Sequence, residues 1–99
     1  MTSTKFVIEQ LKKDRPQAII LFGSAARGAM HKDSDLDILI IKKTKKEYFD
    51  RVREARFKVS TTVPLDIIVL TPEEARELPK KNSFFAQIIR EGKLLYGKL

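Results

Sequence analysis

"FGSAARGAMHKDSDLDILII", residues 22–41, closes one apolar run with Gly23 and Ser24 and opens the next with the alternating aspartates Asp33, Asp35 and Asp37. The flanking runs "AIILF" (18–22) and "DLDILII" (35–41) are short and rich in branched side chains, which is the pattern of strands covered on both faces. Such strands need helices on each side of their sheet, and the rest of the chain offers them. Residues 4–14, "TKFVIEQLKKD", carry Val7, Ile8 and Leu11 at helical spacing before Pro16 forces a change of direction. "SAARGA" (24–29) predicts a short helix capped by Ser24. "TKKE" (44–47) has capping-box spacing, and Phe49, Val52, Ala55 and Val59 form an apolar stripe behind it. A third strand is expected over "PLDIIVL" (64–70). "TPEE" (71–74) combines a threonine cap, proline at the first helical position and glutamate at the third. A further helix fits "SFFAQIIRE" (83–91), stopped by Gly92, with "KLLYG" as a short edge strand. The order of elements predicts an α/β fold, a small mixed β-sheet of three to five strands packed against helices, with residues 1–99 as one domain. Strand directions are not readable at this level.

Composition agrees. A chain of 99 residues, 42% hydrophobic with four Pro and four Gly, can bury one core and not two. It has no Cys, so disulfides and thiolate metal sites are excluded. Neither a leader-like segment nor an apolar run of membrane-spanning length is present, so a cytoplasmic protein with no membrane partner is expected. The formal charge of +7 favours nucleotides, nucleic acid or an acidic protein surface as partners. The basic clusters at 12–13, 42–46 and 80–81 lack interleaved aromatics and read as solvated turns; direct nucleic-acid binding is compatible with them but not required.

The aspartates acquire geometry once 35–41 is a strand. Asp35 and Asp37 are two positions apart and share a face, their carbons roughly 6 to 7 Å apart along it. Asp66 interrupts the aliphatic run of the third strand, where a lone charge is costly unless it is paired or metal-bound. Placing the two strands side by side would gather all three acids. Clustered carboxylates repel and raise one another's pKa values, so a hard divalent cation, Mg²⁺ or Mn²⁺, explains them economically. Such an ion neutralises phosphate oxygens in phosphoryl or nucleotidyl transfer. Gly23 permits close approach of backbone to phosphate, and Ser24 with the following amides offers an anion site.

Other assignments meet obstacles. A calcium loop starting at Asp33 would have Ile38 where glycine is required and Thr44 where a bidentate glutamate belongs. There is no Walker A run. Spacing alone does not exclude a glycosidase pair, although the glycine-serine site makes it less attractive. Asp66 has an alternative role as a salt-bridged acid, with Arg56 as the partner, and Ser24 and Gly23 also have ordinary roles as helix cap and strand end. His31 reads as a loop residue, and nothing singles out Tyr48 or Tyr96.

Gly23-Ser24, ten residues, then Asp35-x-Asp37 and a later Asp66 resemble the signature of the polymerase-beta-type nucleotidyltransferases. "GSAARG" and "SDLDILI" look like its minimal nucleotidyltransferase branch. The resemblance covers about 18–41 and 64–70, and more loosely "IIREGKLLYG". It implies a nucleotidyltransferase-type fold that moves AMP from ATP to an acceptor hydroxyl. Asp35, Asp37 and Asp66 would hold Mg²⁺ as catalytic residues, with Asp66 assisting deprotonation, while Gly23, Ser24 and Arg27 would bind the nucleotide. It further implies an antitoxin role, with a HEPN-domain toxin as partner and a tyrosine of that toxin as acceptor. Two alternatives stay open: an antitoxin that neutralises by binding alone, and a transferase for a small hydroxyl compound such as an aminoglycoside, which the lack of room for a substrate domain disfavours.

Overall fold

The computed structural model of the chain describes residues 4–23, 26, 35–60 and 64–99. The expected helix over 24–29 falls largely outside these residues. Helix α1 spans Thr4–Leu11 and tightens into a 3₁₀ turn over Lys12–Asp14. Arg15, at φ 51°, then turns the chain ahead of Pro16. Strand β1 is Ala18–Phe22 and β2 is Leu36–Ile41. Helix α2 covers Tyr48–Phe57, β3 Leu65–Leu70, α3 Pro72–Lys81, α4 Ser83–Glu91 and β4 Lys93–Gly97.

The sheet is mixed and four-stranded, in the order β3-β2-β1-β4. β1 runs antiparallel to both β2 and β4, whereas β2 and β3 are parallel. Because side chains alternate across a strand, the continuous apolar runs divide between two cores. Ile19, Leu21, Leu36, Ile38, Ile40, Ile67 and Val69 pack under Val7, Ile8 and Leu11 of α1 and Ala55 of α2. Ala18, Ile20, Phe22, Leu39, Ile41 and Leu70 pack under α3 and α4, where Ile88 is buried. The α1/α2 layer and the α3/α4 layer thus cover opposite faces, as the apolar strands require.

The third-helix signal is realised as written. Thr71 accepts from the Glu74 amide, the Glu74 carboxylate accepts from the Thr71 amide at 2.9 Å, and Pro72 begins the helix. Asn82 then caps α4, its Oδ1 accepting from the Phe84 amide at 2.8 Å.

Two expectations for α2 are corrected. "TKKE" is not its capping box: Thr44 Oγ1 accepts from the Lys46 amide at 3.1 Å in a local turn, and the cap residue is Glu47, which makes no side-chain capping bond. The helix therefore starts later than the spacing implied. Phe49 does not join the apolar stripe and is 79% exposed. At about 100° per residue, the six positions separating it from buried Ala55 turn it about 120° away. The cluster "KKTKK" behaves as a solvated basic segment with acidic partners: Lys42 pairs with Asp14 and Glu54, and Lys46 with Glu54. Among the described residues no helix is long and apolar enough to cross a membrane.

Candidate active site

The parallel β2/β3 ladder sets Leu36 beside Leu65 and Asp37 beside Asp66. Register partners in adjacent strands project to the same face, about 4.8 Å apart, so both carboxylates emerge together on the α3/α4 side. They stand at the N-terminal ends of β2 and β3. Asp37 is half-buried and Asp66 exposed. On the other flank of β2, antiparallel pairing puts Phe22 opposite Asp37.

Burial pushes the Asp37 carboxyl above its usual range, and the charge of Asp66, a hydrogen bond shared with Asp66 and the charge of Asp35 push it the same way. Among the described residues no lysine or arginine forms an ion pair with Asp37 or Asp66. The alternative pairing of Asp66 with Arg56 is not formed: Arg56 Nη2 donates to the Leu65 carbonyl at 2.5 Å. Asp35 is exposed and lies just ahead of β2. It acts on Asp37 through its charge, and among the described residues no three acidic or histidine side chains stand together as a metal cluster.

Gly23 follows β1 with φ +72°, a conformation that side chains with a Cβ rarely adopt. A Cβ there would also run into the Asp37 carboxylate. The glycine therefore does two things at once: it turns the chain and leaves room for the acid beside it. Ser24 and Arg27 lie outside the described residues.

Gly23, Asp37 and Asp66 open into a cleft of about 530 Å³, within the range of small-molecule sites. Phe22 and Ile68 line it from the sheet, and Phe84, Gln87 and Glu91 from α4. Arg56 reaches it at the Asp66 end. The α4 residues and Phe22 escaped the sequence reading. A signal existed, because Phe84, Gln87 and Glu91 are spaced i, i+3 and i+7 on one face, but nothing local says that this face meets the aspartates.

The donor set suits a hard divalent cation. It consists of oxygen ligands only, on two neighbouring strands, with no basic side chain among the described residues neutralising them and with Asp37 destabilised as an anion by its surroundings.

A family model described as "Polymerase beta, Nucleotidyltransferase" matches residues 5–98. A candidate protein adenylyltransferase of Methanocaldococcus jannaschii is 34% identical over 87 residues, covering 85% of this chain and 82% of that protein. Among solved structures, a candidate nucleotidyltransferase from Sulfolobus solfataricus superposes with a TM-score of 0.65 at 23% identity, covering 93% of this chain and 75% of that one. A toxin-antitoxin structure with AMP-PNP gives 0.61 at 22% identity, covering 97% and 75% of the two chains. A mutant of the toxin-antitoxin MntA-HpeT gives 0.62 at 24%, covering 99% and 75%. At these identities the structural matches speak for the fold.

Proposed function

Since the chain belongs to the polymerase beta nucleotidyltransferase family, we propose that it transfers AMP from ATP to a hydroxyl on a partner protein, with a tyrosine of a HEPN-domain toxin as the acceptor. The observation that carries this reading is the Asp37/Asp66 register pair facing Gly23 at the floor of a nucleotide-sized cleft. Similarity to a candidate protein adenylyltransferase and to toxin-antitoxin structures supports the acceptor class.

Asp37 and Asp66, which the β2/β3 register brings together, would hold Mg²⁺ with Asp35 drawn in from just ahead of β2, and the ion would supply charge neutralisation at the phosphate oxygens. The positive-φ turn at Gly23 would let backbone amides approach the triphosphate without a Cβ intervening, and Ser24 and Arg27, which lie outside the described residues, are the further nucleotide-binding residues of this reading. Asp66, the more exposed of the pair, accepts the proton of the acceptor hydroxyl. The hydroxyl oxygen bonds to the α-phosphorus, the bond from that phosphorus to the bridging oxygen of the β-phosphate breaks, and pyrophosphate leaves. The partially desolvated position of Asp37 strengthens each of these electrostatic interactions. The partner's own surface aligns the acceptor hydroxyl, and the excess positive charge assists docking onto an acidic patch.

The test is to incubate the protein with Mg²⁺, ATP and the toxin and to weigh the toxin by mass spectrometry. The expected result is a gain of one AMP residue on a tyrosine, lost with Asp66→Asn. A toxin silenced at unchanged mass, equally by Asp37→Asn protein, would replace catalysis by simple binding.

A further inference from the structure

We propose that α4 reads the base of the nucleotide: Phe84 is its stacking platform, and Gln87, oriented by Glu91, accepts a hydrogen bond from the amino group at position 6 of adenine. The inference rests on the nucleotide-transfer reading above and adds which part of the cleft holds which part of the substrate.

Phe84 is 50% exposed and lines the cleft. Its ring is not free to wander. It meets Phe22 edge-on, centroids 6.1 Å apart, and Phe85 edge-on at 5.4 Å. Asn82 fixes the first turn of α4 through the Phe84 amide. A pre-oriented aromatic half open to a cleft is what base stacking needs, since the ordering cost is already met within the fold. Phe22 is the register neighbour of Asp37, so the Phe84 ring stands on the order of 10 Å from the carboxylate pair, one strand spacing plus one ring contact. A nucleoside bridges that distance with its α-phosphate at the aspartates.

Gln87 follows one turn later on the same face and lines the same cleft. An amide side chain can present either end, and here its neighbour decides: Gln87 Nε2 donates to Glu91 Oε1 at 3.5 Å. With the amino end turned to Glu91, the amide oxygen is left to face the base. An acceptor at that point matches the 6-amino group of adenine and opposes the 6-oxo group of guanine or hypoxanthine. Glu91 also lines the cleft, pairs with Arg90 at 3.6 Å and acts as a positioning residue for Gln87.

Calorimetric titration of the full chain in Mg²⁺ with ATP, ITP and inorganic tripolyphosphate tests this. ITP differs from ATP at position 6 in carrying oxo for amino, and tripolyphosphate lacks the nucleoside. Phe84→Ala should weaken ATP and ITP alike by about 5- to 100-fold, leaving tripolyphosphate unchanged, and Phe84→Tyr should restore binding. Wild type should prefer ATP to ITP, and Glu91→Gln should shrink that preference toward unity without altering tripolyphosphate affinity. Undiminished ATP binding by folded Phe84→Ala overturns the platform, and equal wild-type affinity for ATP and ITP overturns the amide reading. Failure of both ATP and tripolyphosphate to bind wild type would instead bring down the nucleotide-transfer reading, and this inference with it.

Discussion

Two carboxylate pairs in this molecule have opposite surroundings. On the α1/α2 side, Asp14 and Glu54 share Lys42 and Lys58, and Glu54 also meets Lys46. Hydrogen bonds from Lys46 and Lys42 draw the Glu54 carboxyl down to about 2, and although burial opposes it, the Lys42 and Lys58 contacts also hold Asp14 below its usual value. On the α3/α4 side, no described lysine or arginine forms an ion pair with Asp37 or Asp66, and burial together with the charges of Asp66 and Asp35 pushes Asp37 up. The chain has 20 lysines and arginines, so cations are not scarce. Among the described residues the first pair is satisfied by the fold and the second is not. A carboxylate cluster becomes informative about function where the protein declines to neutralise it.

That contrast can be broken most severely at the second pair. If Asp37 holds the metal as proposed, Asp37→Asn should cut AMP transfer by more than about 100-fold, yet the ligand-free protein should melt no lower than wild type, since a repulsion is removed. Labelled-ATP transfer and thermal melts read the two effects separately. A variant that both loses activity and unfolds would make Asp37 a structural residue.

Gly23→Val reaches the same carboxylate from the other side. The positive φ alone should cost about 1–3 kcal/mol, and the added Cβ displaces Asp37. Denaturant titration should register the loss of stability, and nucleotide affinity should fall with it. Wild-type stability and affinity together would show that the turn does not press on Asp37.

The smallest effect is in the pH dependence and has opposite signs for the two pairs. Glu54 is lowered from 4.5 to about 2, so its contribution is present above 4.5 and lost as pH falls toward 2. Glu54→Gln should therefore reduce stability at neutral pH, by on the order of 1 kcal/mol for a half-buried group whose ion pairs are screened by solvent, with the difference vanishing in acid. Asp37 is raised above 3.8, so its ionisation opposes folding at neutral pH and the penalty is relieved as pH falls through its folded value toward 3.8. Asp37→Asn should be stabilising at neutral pH and without effect below 3.8. Melting curves across pH that moved in the same direction for both variants would refute the contrast.

Most elements were legible because their signals are local. "AIILF" is β1 residue for residue, "TPEE" opens α3 with its capping box, and "SFFAQIIRE" ending at Gly92 is α4. The start of α2 was misread because Thr44 had a nearer partner in the Lys46 amide than any helix could offer. Gly23, Asp37 and Asp66 were recognisable as chemical types from glycine at a strand end and charge within aliphatic runs. Their assembly was legible only as a condition, and through the resemblance: it depends on β2 and β3 being parallel neighbours in a register that pairs Asp37 with Asp66, and on Phe22 lying across from Asp37.

The sequence by itself determined where strands and helices form, which residues are apolar enough to be buried and which acids are too costly to stand alone, because these depend on periodicity, capping and desolvation within a few residues. Only the tertiary structure decided strand direction, the pairing of the two aspartates, the collision course between a Gly23 side chain and Asp37, and the arrival of Phe84, Gln87 and Glu91 at the same cleft. Those are relations between segments far apart in the chain, and their energies exist only once the sheet has closed.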